Sequence, residues 1–453
     1  MLRFVFGRNG SGKTEYVRKL LSEKLLAGEK GLILIVPEQF SFETERAMLE
    51  KVGPKNMLNL EILSFSRLAE TVLSQFAPGD KPKIDDGTRA VLMSLALEAL
   101  GENAEIYKKF INRPALLQSL VTFSTELKQC AVSADELEKA GETLPEGTLK
   151  HKLTELSQIT DLYNALVHDR FSDDTDLLTR LAEIIPEIDY FDGKTVVLDT
   201  FCGFTKQERN VIAAMLRRCK DVYITLCMDA VKAEDTLLFD NIRDEAEKLK
   251  RVCAENSVPV AKSVVCLAAE DTKTPELRAL EANVFRSKKE KYSEIPAGLQ
   301  IFSAANRTDE SDFVAREIRK LLREQNYRAG EIAVIARKKD TYDHELNAAF
   351  QKFGLPFFED KRQPVNMQPL MQMISGLLDM AADGITTEVL LRYLKTGLAG
   401  LAADETADLE NYAIMWNIDR AKWRSDFTGN PAGLGQVMQE REEKKLARLN
   451  ELR

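Results

Sequence analysis

The stretch LRFVFGRNGSGKT, residues 2–14, decides how this chain of 453 residues begins to fold. An apolar strand pattern runs into a glycine-rich loop, and a helical pattern starts at Lys13. Strand, G-x4-G-K-[ST] loop and helix in this order make a P-loop, whose glycines turn backbone N–H groups toward a phosphate at the positive end of the helix dipole. A chance match is the alternative, but few chance matches lie between a strand and a helix.

The residue types of the P-loop predict the ligands as well. Lys13 is expected to reach the β- and γ-phosphates of ATP, and the Thr14 hydroxyl to bind the Mg²⁺ that bridges two phosphate oxygens. The loop thus supplies an anion cradle, a positive charge and a metal ligand. The predicted nucleotide-binding residues are Gly7, Arg8, Asn9, Gly10, Ser11, Gly12, Lys13 and Thr14.

Composition limits the remaining possibilities. Hydrophobic residues make up 44% and charged residues 30% of the chain, as in soluble globular proteins of roughly two to four domains at this length. No apolar run approaches the roughly 20 residues that span a bilayer, and no secretory signal is present, so we expect a cytoplasmic protein. The net charge of −9 disfavours binding of polyanions by the whole surface but leaves room for a local basic groove.

The cysteines and histidines do not suggest a metal or disulfide framework. The six cysteines are scattered without a C-x2-C pair, and the three histidines are isolated from one another. We therefore expect neither a zinc site nor disulfide bonds.

Further strands and a second candidate site follow the P-loop. The unbroken apolar run 31–36 predicts a strand buried on both faces of a parallel sheet, and after a helix from about residue 41 to residue 51 the segment 58–63 predicts a third strand. A strand end then gives way to a helix start. That junction is consistent with a grip on a phosphate and a stacked base by Ser64, Phe65, Ser66 and Arg67, residues to which the family resemblance described below assigns a DNA contact. The alternative is helix capping by Ser64 or Ser66.

A helical segment interrupts this pattern before another strand appears. Residues 77–189 have helical periodicity and predict an insertion, after which 195–199 is a buried strand that ends in Asp199. An Asp at this place binds Mg²⁺ in P-loop proteins, although a turn residue is the alternative. Thr200 stands where an active motor has a catalytic Glu, and Glu208 is explained by a capping box with Thr205. The general base is therefore expected to be missing.

A second α/β unit is predicted after a charged linker near residues 287–291. Its expected strands are 299–304, 331–337 and 356–358, and its expected helices are 309–324 and 341–353. Strands at 222–228 and 258–267 and a helix at 237–254 precede it. From residue 368 onward the pattern is helical to residue 453.

These motifs together resemble one family. The P-loop, the segment Ile62–Leu68 and the run Phe201–Glu208 after Asp199 resemble the AddB subunit of the AddAB helicase–nuclease. Further similar segments, in the same order, are Ala304–Arg307, Ala315–Ile318 and Ile332–Arg337. The resemblance extends to about Asn417.

The resemblance implies a fold of RecA-like P-loop NTPase domains of the superfamily 1 helicase type, with large helical insertions. Residues 1–76 and 190–290 would form the first RecA-like domain and 77–189 its insertion. Residues 297–367 would begin the second RecA-like domain and 368–453 its insertion, within which the chain stops. Arg307 would be a γ-phosphate or structural arginine, or simply a solvated charge at a helix start.

The resemblance also implies a function. The family works with an AddA partner on double-stranded DNA ends in recombinational repair, and its B subunit carries a nuclease domain with an iron–sulfur cluster, expected here beyond Arg453. ATP binding with impaired hydrolysis is then expected of this chain. Two other hypotheses remain open, namely a P-loop kinase that acts on a small molecule and a scaffold with a vestigial nucleotide site.

Overall fold

The computed structural model describes residues 1–101, 106–107, 113–228, 237–267, 273–285, 289–359 and 365–453. The chain divides into two units, residues 1–301 and residues 302–453, which are described separately below. Positions 287 and 288 of the predicted charged linker lie outside the described residues.

A parallel sheet of six strands organises the first unit. The strand order is β3-β2-β4-β5-β1-β6, and every pairing between neighbours is parallel. All carboxyl ends therefore lie at one edge of the sheet, which we call the carboxyl edge. The strands are β1 (Leu2–Gly7), β2 (Leu32–Ile35), β3 (Leu60–Leu63), β4 (Thr195–Leu198), β5 (Asp221–Cys227) and β6 (Val264–Val265).

The unbroken apolar runs of the sequence explain why these strands are central. Every residue of β2 and β4 is buried, because helices cover both faces of the sheet. The predicted strand 258–267 is shorter than expected. Only Val264 and Val265 form a strand, while Val260 makes an isolated bridge to Leu2.

The helices of the first unit confirm the α/β class and the helical character of the predicted insertion. The helices within residues 86–170 share a core of their own that includes Leu97 and Tyr163, whereas Leu177 and Leu181 in the next helix pack into the core beneath the sheet. The helices are α1 (Lys13–Leu26), α2 (Ser41–Met57), α3 (Phe65–Phe76), α4 (Asp86–Leu100), α5 (Pro114–Gln129), α6 (Ala134–Glu142), α7 (Thr148–Arg170), α8 (Leu177–Ile184), α9 (Lys206–Arg218), α10 (Asp240–Glu255) and α11 (Pro275–Asn283).

A buried ion cluster ties α4 and α5 to the start of α8. Asp173 is 3% exposed, and its two oxygens lie 2.8 Å from Arg89 Nη2 and 3.0 Å from Lys128 Nζ. Burial raises the pKa of this carboxyl, but Lys128, the Thr175 N–H and Arg89 outweigh that effect and lower the pKa to about 2 from its ordinary value of 3.8. The cluster therefore stabilises the fold only while Asp173 is ionised.

The second unit is helical in the residues that the structure describes. One core joins the first two helices of this unit through Ala315 and Phe350, and another surrounds Trp423 between its last three helices. The helices are α12 (Arg307–Glu324), α13 (Lys339–Phe353), α14 (Pro369–Asp383), α15 (Thr387–Leu394), α16 (Ala403–Met415) and α17 (Glu440–Leu452).

The predicted strands 299–304, 331–337 and 356–358 are wrong in this structure, because none of these segments is a β-strand. A strand needs a neighbour to satisfy its backbone hydrogen bonds, and no described residue of this unit pairs with them. Their apolar side chains stay exposed, with Ile335 93% and Phe358 92% accessible. The segments 332–336 and 355–359 line a cavity of about 640 Å³ beside α12 and α13.

Candidate nucleotide-binding site

The P-loop lies between β1 and α1, as the sequence predicts. β1 ends at Gly7, α1 begins at Lys13, and Gly10 and Gly12 have φ angles of 74° and 85°, a left-handed conformation that glycine adopts readily. Gly12 is the N-cap of α1 and supplies no capping side chain. The first backbone N–H groups of α1 are therefore left for an anion.

Gly7 is required for a steric reason. A Cβ atom at this position would lie 2.1 Å from Ser11 Oγ and 2.7 Å from the carbonyl oxygen of Cys266. The second contact is with backbone, which does not move aside as a side chain does. Burial raises the pKa of the adjacent Cys266 thiol, while the charge of Lys13 acts in the opposite direction, so this thiol is neutral at pH 7.

The motif lysine is held by the loop itself. Lys13 Nζ donates hydrogen bonds to the carbonyl oxygens of Gly7 and Arg8, at 2.9 Å each. Ser11 is only 7% exposed, and its hydroxyl has no hydrogen-bond partner within the described part of the chain. Both side chains have polar groups that a bound phosphate would satisfy.

Asp199 follows β4 at the carboxyl edge and is 3% exposed. Its Oδ1 accepts hydrogen bonds from Thr225 Oγ1 at 2.6 Å and from the Thr200 N–H at 2.9 Å. Both bonds fall on one oxygen, which leaves Oδ2 without a hydrogen bond from the described residues. Strand β5 alone separates β4 from β1, so the ends of these two strands are about 10 Å apart.

Thr200 and Glu208, the residues on which the prediction of a missing general base depends, both have structural contacts. Thr200 has a φ of 66°, an unusual conformation for a β-branched residue, and its hydroxyl donates to the Asp199 carbonyl oxygen at 2.6 Å. The predicted capping box is confirmed, because Glu208 accepts from the Thr205 N–H at 2.7 Å while Thr205 Oγ1 accepts from the Glu208 N–H. The Glu208 carboxylate is therefore hydrogen-bonded at the start of α9.

The side chains at this edge fit Mg²⁺. A hydroxyl from Thr14 and a carboxylate from Asp199 are hard oxygen ligands, and Mg²⁺ bound to phosphates uses only one or two protein ligands beside water. The six cysteines are free, and no cluster of three or more His, Cys, Asp or Glu side chains suited to a metal occurs among the described residues.

The predicted DNA-contact segment divides into buried and exposed parts. Ser64 caps α3 by accepting from the Arg67 N–H at 3.2 Å, as the capping alternative predicts. Phe65 is 6% exposed and packs edge-on against Phe201, so its ring has no open face for a base, contrary to the predicted stacking. Ser66 and Arg67 are exposed at the carboxyl edge. Only these two side chains stay candidates for direct contact.

Arg307 lies in the second unit at the start of α12. Its Nη1 donates to the Thr341 carbonyl oxygen at 3.1 Å, and its side chain is exposed. This bond ties α12 to the start of α13 and gives the residue a structural contact; a γ-phosphate role stays a prediction.

Sequence reasoning missed two residues at the P-loop. Lys273 Nζ donates to the Asn9 carbonyl oxygen at 3.0 Å and pairs with Glu281 at 2.5 Å. Neither residue belongs to a motif, and Lys273 is 264 positions from Asn9. Only the tertiary position of α11 brings them to the loop.

None of the helices in the described part of the chain is long and apolar enough to cross a membrane.

Comparison with known proteins identifies the family. Residues 4–281 match the family described as "ADDB, N-terminal". A relative from Acetivibrio thermocellus, named as the B subunit of an ATP-dependent helicase/deoxyribonuclease, is 32% identical over 93% of this chain and 37% of its own length. Proteins of the same name from Clostridium novyi and Clostridium perfringens are 31% and 29% identical over 94% and 100% of this chain.

The chain spans 37–40% of the length of these relatives. The family match covers more than half of the chain and includes the P-loop, the Ser64–Arg67 segment and Asp199. The chain therefore belongs to the AddB family.

Proposed function

We propose that this chain is the ATP-binding, DNA-contacting, helicase-like part of a helicase–nuclease B subunit, with RecA-like P-loop domains and little or no ATP hydrolysis of its own. The observation that carries this proposal is the position of three features at one carboxyl edge, namely the P-loop, Asp199 and the start of α3. The family membership supports it, because the relatives are named as subunits of an ATP-dependent helicase/deoxyribonuclease.

Nucleotide binding is supported by the loop geometry. Left-handed Gly10 and Gly12 open the start of α1 to an anion, and Lys13 and Thr14, in the first turn of α1, are the motif residues proposed to contact the phosphates and Mg²⁺. The missing general base supports binding without turnover, because Thr200 follows Asp199 and Glu208 caps α9.

A DNA contact has to lie at a different part of the carboxyl edge from the nucleotide. In the strand order β3-β2-β4-β5-β1, four strand spacings separate the start of α3 from the P-loop, about 19 Å. A nucleotide in the P-loop does not cover this distance with its phosphates, so Ser66 and Arg67 are available to a second anionic ligand.

Titration with MgATP tests the nucleotide site. We expect the chain to bind ATP, Lys13→Ala to abolish binding, and Lys24→Ala at the far end of α1 to leave it unchanged. Hydrolysis slower than about one per second is expected of the purified chain. Turnover above that rate would refute the claim of a missing base, and absence of ATP binding would favour the scaffold hypothesis. Phosphate transfer to a small molecule would favour the kinase hypothesis.

Titration with fluorescent single-stranded DNA at several salt concentrations tests the second site. Arg67→Ala should reduce the slope of log affinity against log salt by roughly one counterion. Arg46→Ala on α2 is a matched control, since this exposed arginine pairs with Glu50 outside the predicted contact. Equal slopes for both variants would refute the contact.

We further propose an AddA-type partner and duplex DNA ends as the substrate of the assembly. The relatives are named as one subunit of a larger enzyme, which supports a partner subunit for this chain. A pull-down against an AddA-type subunit, with and without duplex ends, tests it, and failure to associate in both conditions would refute it.

A further inference from the structure

The tip of the P-loop, residues 8–10, is covered by a distant segment of the same unit. Arg8 Nη1 donates to the Glu281 carbonyl oxygen at 3.1 Å, and Lys273 Nζ donates to the Asn9 carbonyl oxygen at 3.0 Å. Lys273 Cε lies 3.4 Å from the place that a Cβ on Gly10 would take. Residues 273–283, which include α11, therefore lie against the loop that is proposed to hold the phosphates.

Two lysines share the carbonyl groups of this loop. Lys13 donates to the Gly7 and Arg8 oxygens, and Lys273 donates to the next one along the chain. The motif lysine has to leave these carbonyls to reach a polyphosphate. Lys273 likewise donates to a carbonyl oxygen of the loop, and its flexible four-carbon side chain lets the ammonium group move by several ångströms.

Glu281 holds the second lysine in place. Its Oε2 lies 2.5 Å from Lys273 Nζ, and the two side chains are 32% and 25% exposed. The negative charge of a nucleoside triphosphate exceeds the combined positive charge of one Mg²⁺ and one lysine, so another cation at the loop is favourable. The carboxylate of Glu281 competes with the phosphates for that cation.

We propose that Lys273 is a second cationic ligand of the nucleotide's polyphosphate, and that Glu281 lowers nucleotide affinity by pairing with it. This inference rests on the proposed nucleotide site and adds to it a residue pair that sets how tightly the polyphosphate is bound. The alternative is that the pair merely fastens α11 to the loop.

The two roles predict opposite effects for one substitution. If Lys273 binds phosphate, Glu281→Gln releases it and tightens MgATP binding about two- to fivefold, the range expected for loss of a partly exposed ion pair. Lys273→Gln then weakens MgATP binding roughly tenfold, as for loss of one charge-assisted hydrogen bond. If the pair only fastens α11, Glu281→Gln loosens the loop and weakens binding.

The experiment is a double-mutant cycle on the full chain. MgATP and inorganic tripolyphosphate are titrated against wild type, Lys273→Gln, Glu281→Gln and the double variant, with melting temperatures measured for each. We expect the double variant to bind as weakly as Lys273→Gln, because the gain from Glu281→Gln needs the lysine. Tripolyphosphate should show the same order, since the contact is with phosphates.

Lys24 and Glu29 supply the matched control. They form an ion pair at 2.8 Å at the far end of α1, and Lys24→Gln and Glu29→Gln should leave MgATP affinity unchanged. If Lys273→Gln binds MgATP as tightly as the wild type, or if Glu281→Gln binds it more weakly, the proposed role of Lys273 is refuted. Neither result would affect the proposed nucleotide site. No binding of MgATP by the wild type overturns the nucleotide site itself and this inference with it.

Discussion

The most quantitative prediction concerns Asp173→Asn in the buried ion cluster. Asparagine keeps the shape of the protonated acid and removes the charge that Arg89 and Lys128 contact. The pKa of Asp173 is about 2 in the folded protein against an ordinary value of 3.8. This difference corresponds to about 2.4 kcal/mol of stabilisation at pH 7, which the variant should lose.

The stability that Asp173→Asn loses should depend on pH, and the lowered pKa of Asp173 fixes the direction of this dependence. Because folding lowers the pKa of Asp173, the stabilisation that its charge provides is present above the unfolded pKa of 3.8 and is lost as the pH falls through the folded pKa of about 2. The gap in unfolding free energy between wild type and Asp173→Asn should shrink from about 2.4 kcal/mol at pH 7 to about 1.3 kcal/mol at pH 3.

Hydrogen–deuterium exchange at the amides of α4 and α5 is the suitable assay. Both tryptophans, Trp416 and Trp423, lie in the second unit, so their fluorescence does not report on this cluster. Asp86→Asn is the matched control, because Asp86 pairs with Arg89 at 2.8 Å but is 90% exposed, and its loss should cost less than about 0.5 kcal/mol. Equal losses for the two variants, or a gap that does not change with pH, would refute the reasoning.

Three further substitutions test the site. Gly7→Ala should abolish MgATP binding in a titration, because the added Cβ would lie 2.7 Å from a backbone oxygen; retained affinity would contradict this. Thr225→Val should cost about 1–3 kcal/mol in urea unfolding by removing the hydroxyl that donates to Asp199, whereas Thr225→Ser keeps the hydroxyl and should cost only about 0.8 kcal/mol for the lost buried methyl group. Phe65→Ala should cost roughly 3–5 kcal/mol as a cavity in the core, while Ser66→Ala stays within about 0.5 kcal/mol; similar melting temperatures would place the Phe65 ring at the surface.

The parts of the molecule that sequence reasoning predicted correctly are those set by local rules. β2 and β4 follow from unbroken apolar runs, and the P-loop from glycine spacing between a strand and a helix. The capping box at Thr205 needs only four consecutive residues. Each of these features depends on residues that are close together in the chain, so a short stretch of sequence is enough to predict it.

The features that sequence reasoning missed depend on contacts between residues far apart in the chain. The pairing of Lys273 with the loop joins residues 264 positions apart, and that of Asp173 with Arg89 joins residues 84 positions apart. The segment 331–337 has the composition of a strand but no described strand beside it, and a strand is defined by its partner. Local patterns predict which segments favour an extended backbone, but pairing is a tertiary property.

Phe65 shows why burial has to be known before a site is tested. Its ring packs against Phe201 at a centroid distance of 5.4 Å, and Phe201 lies two residues after Asp199. Removing the ring therefore disturbs the turn that carries the candidate metal ligand, and a loss of DNA binding in Phe65→Ala would not identify a base contact. Ser66 and Arg67 are exposed on the same helix turn. Substitutions at these two positions remove a surface contact without opening the core, so only they separate DNA recognition from folding.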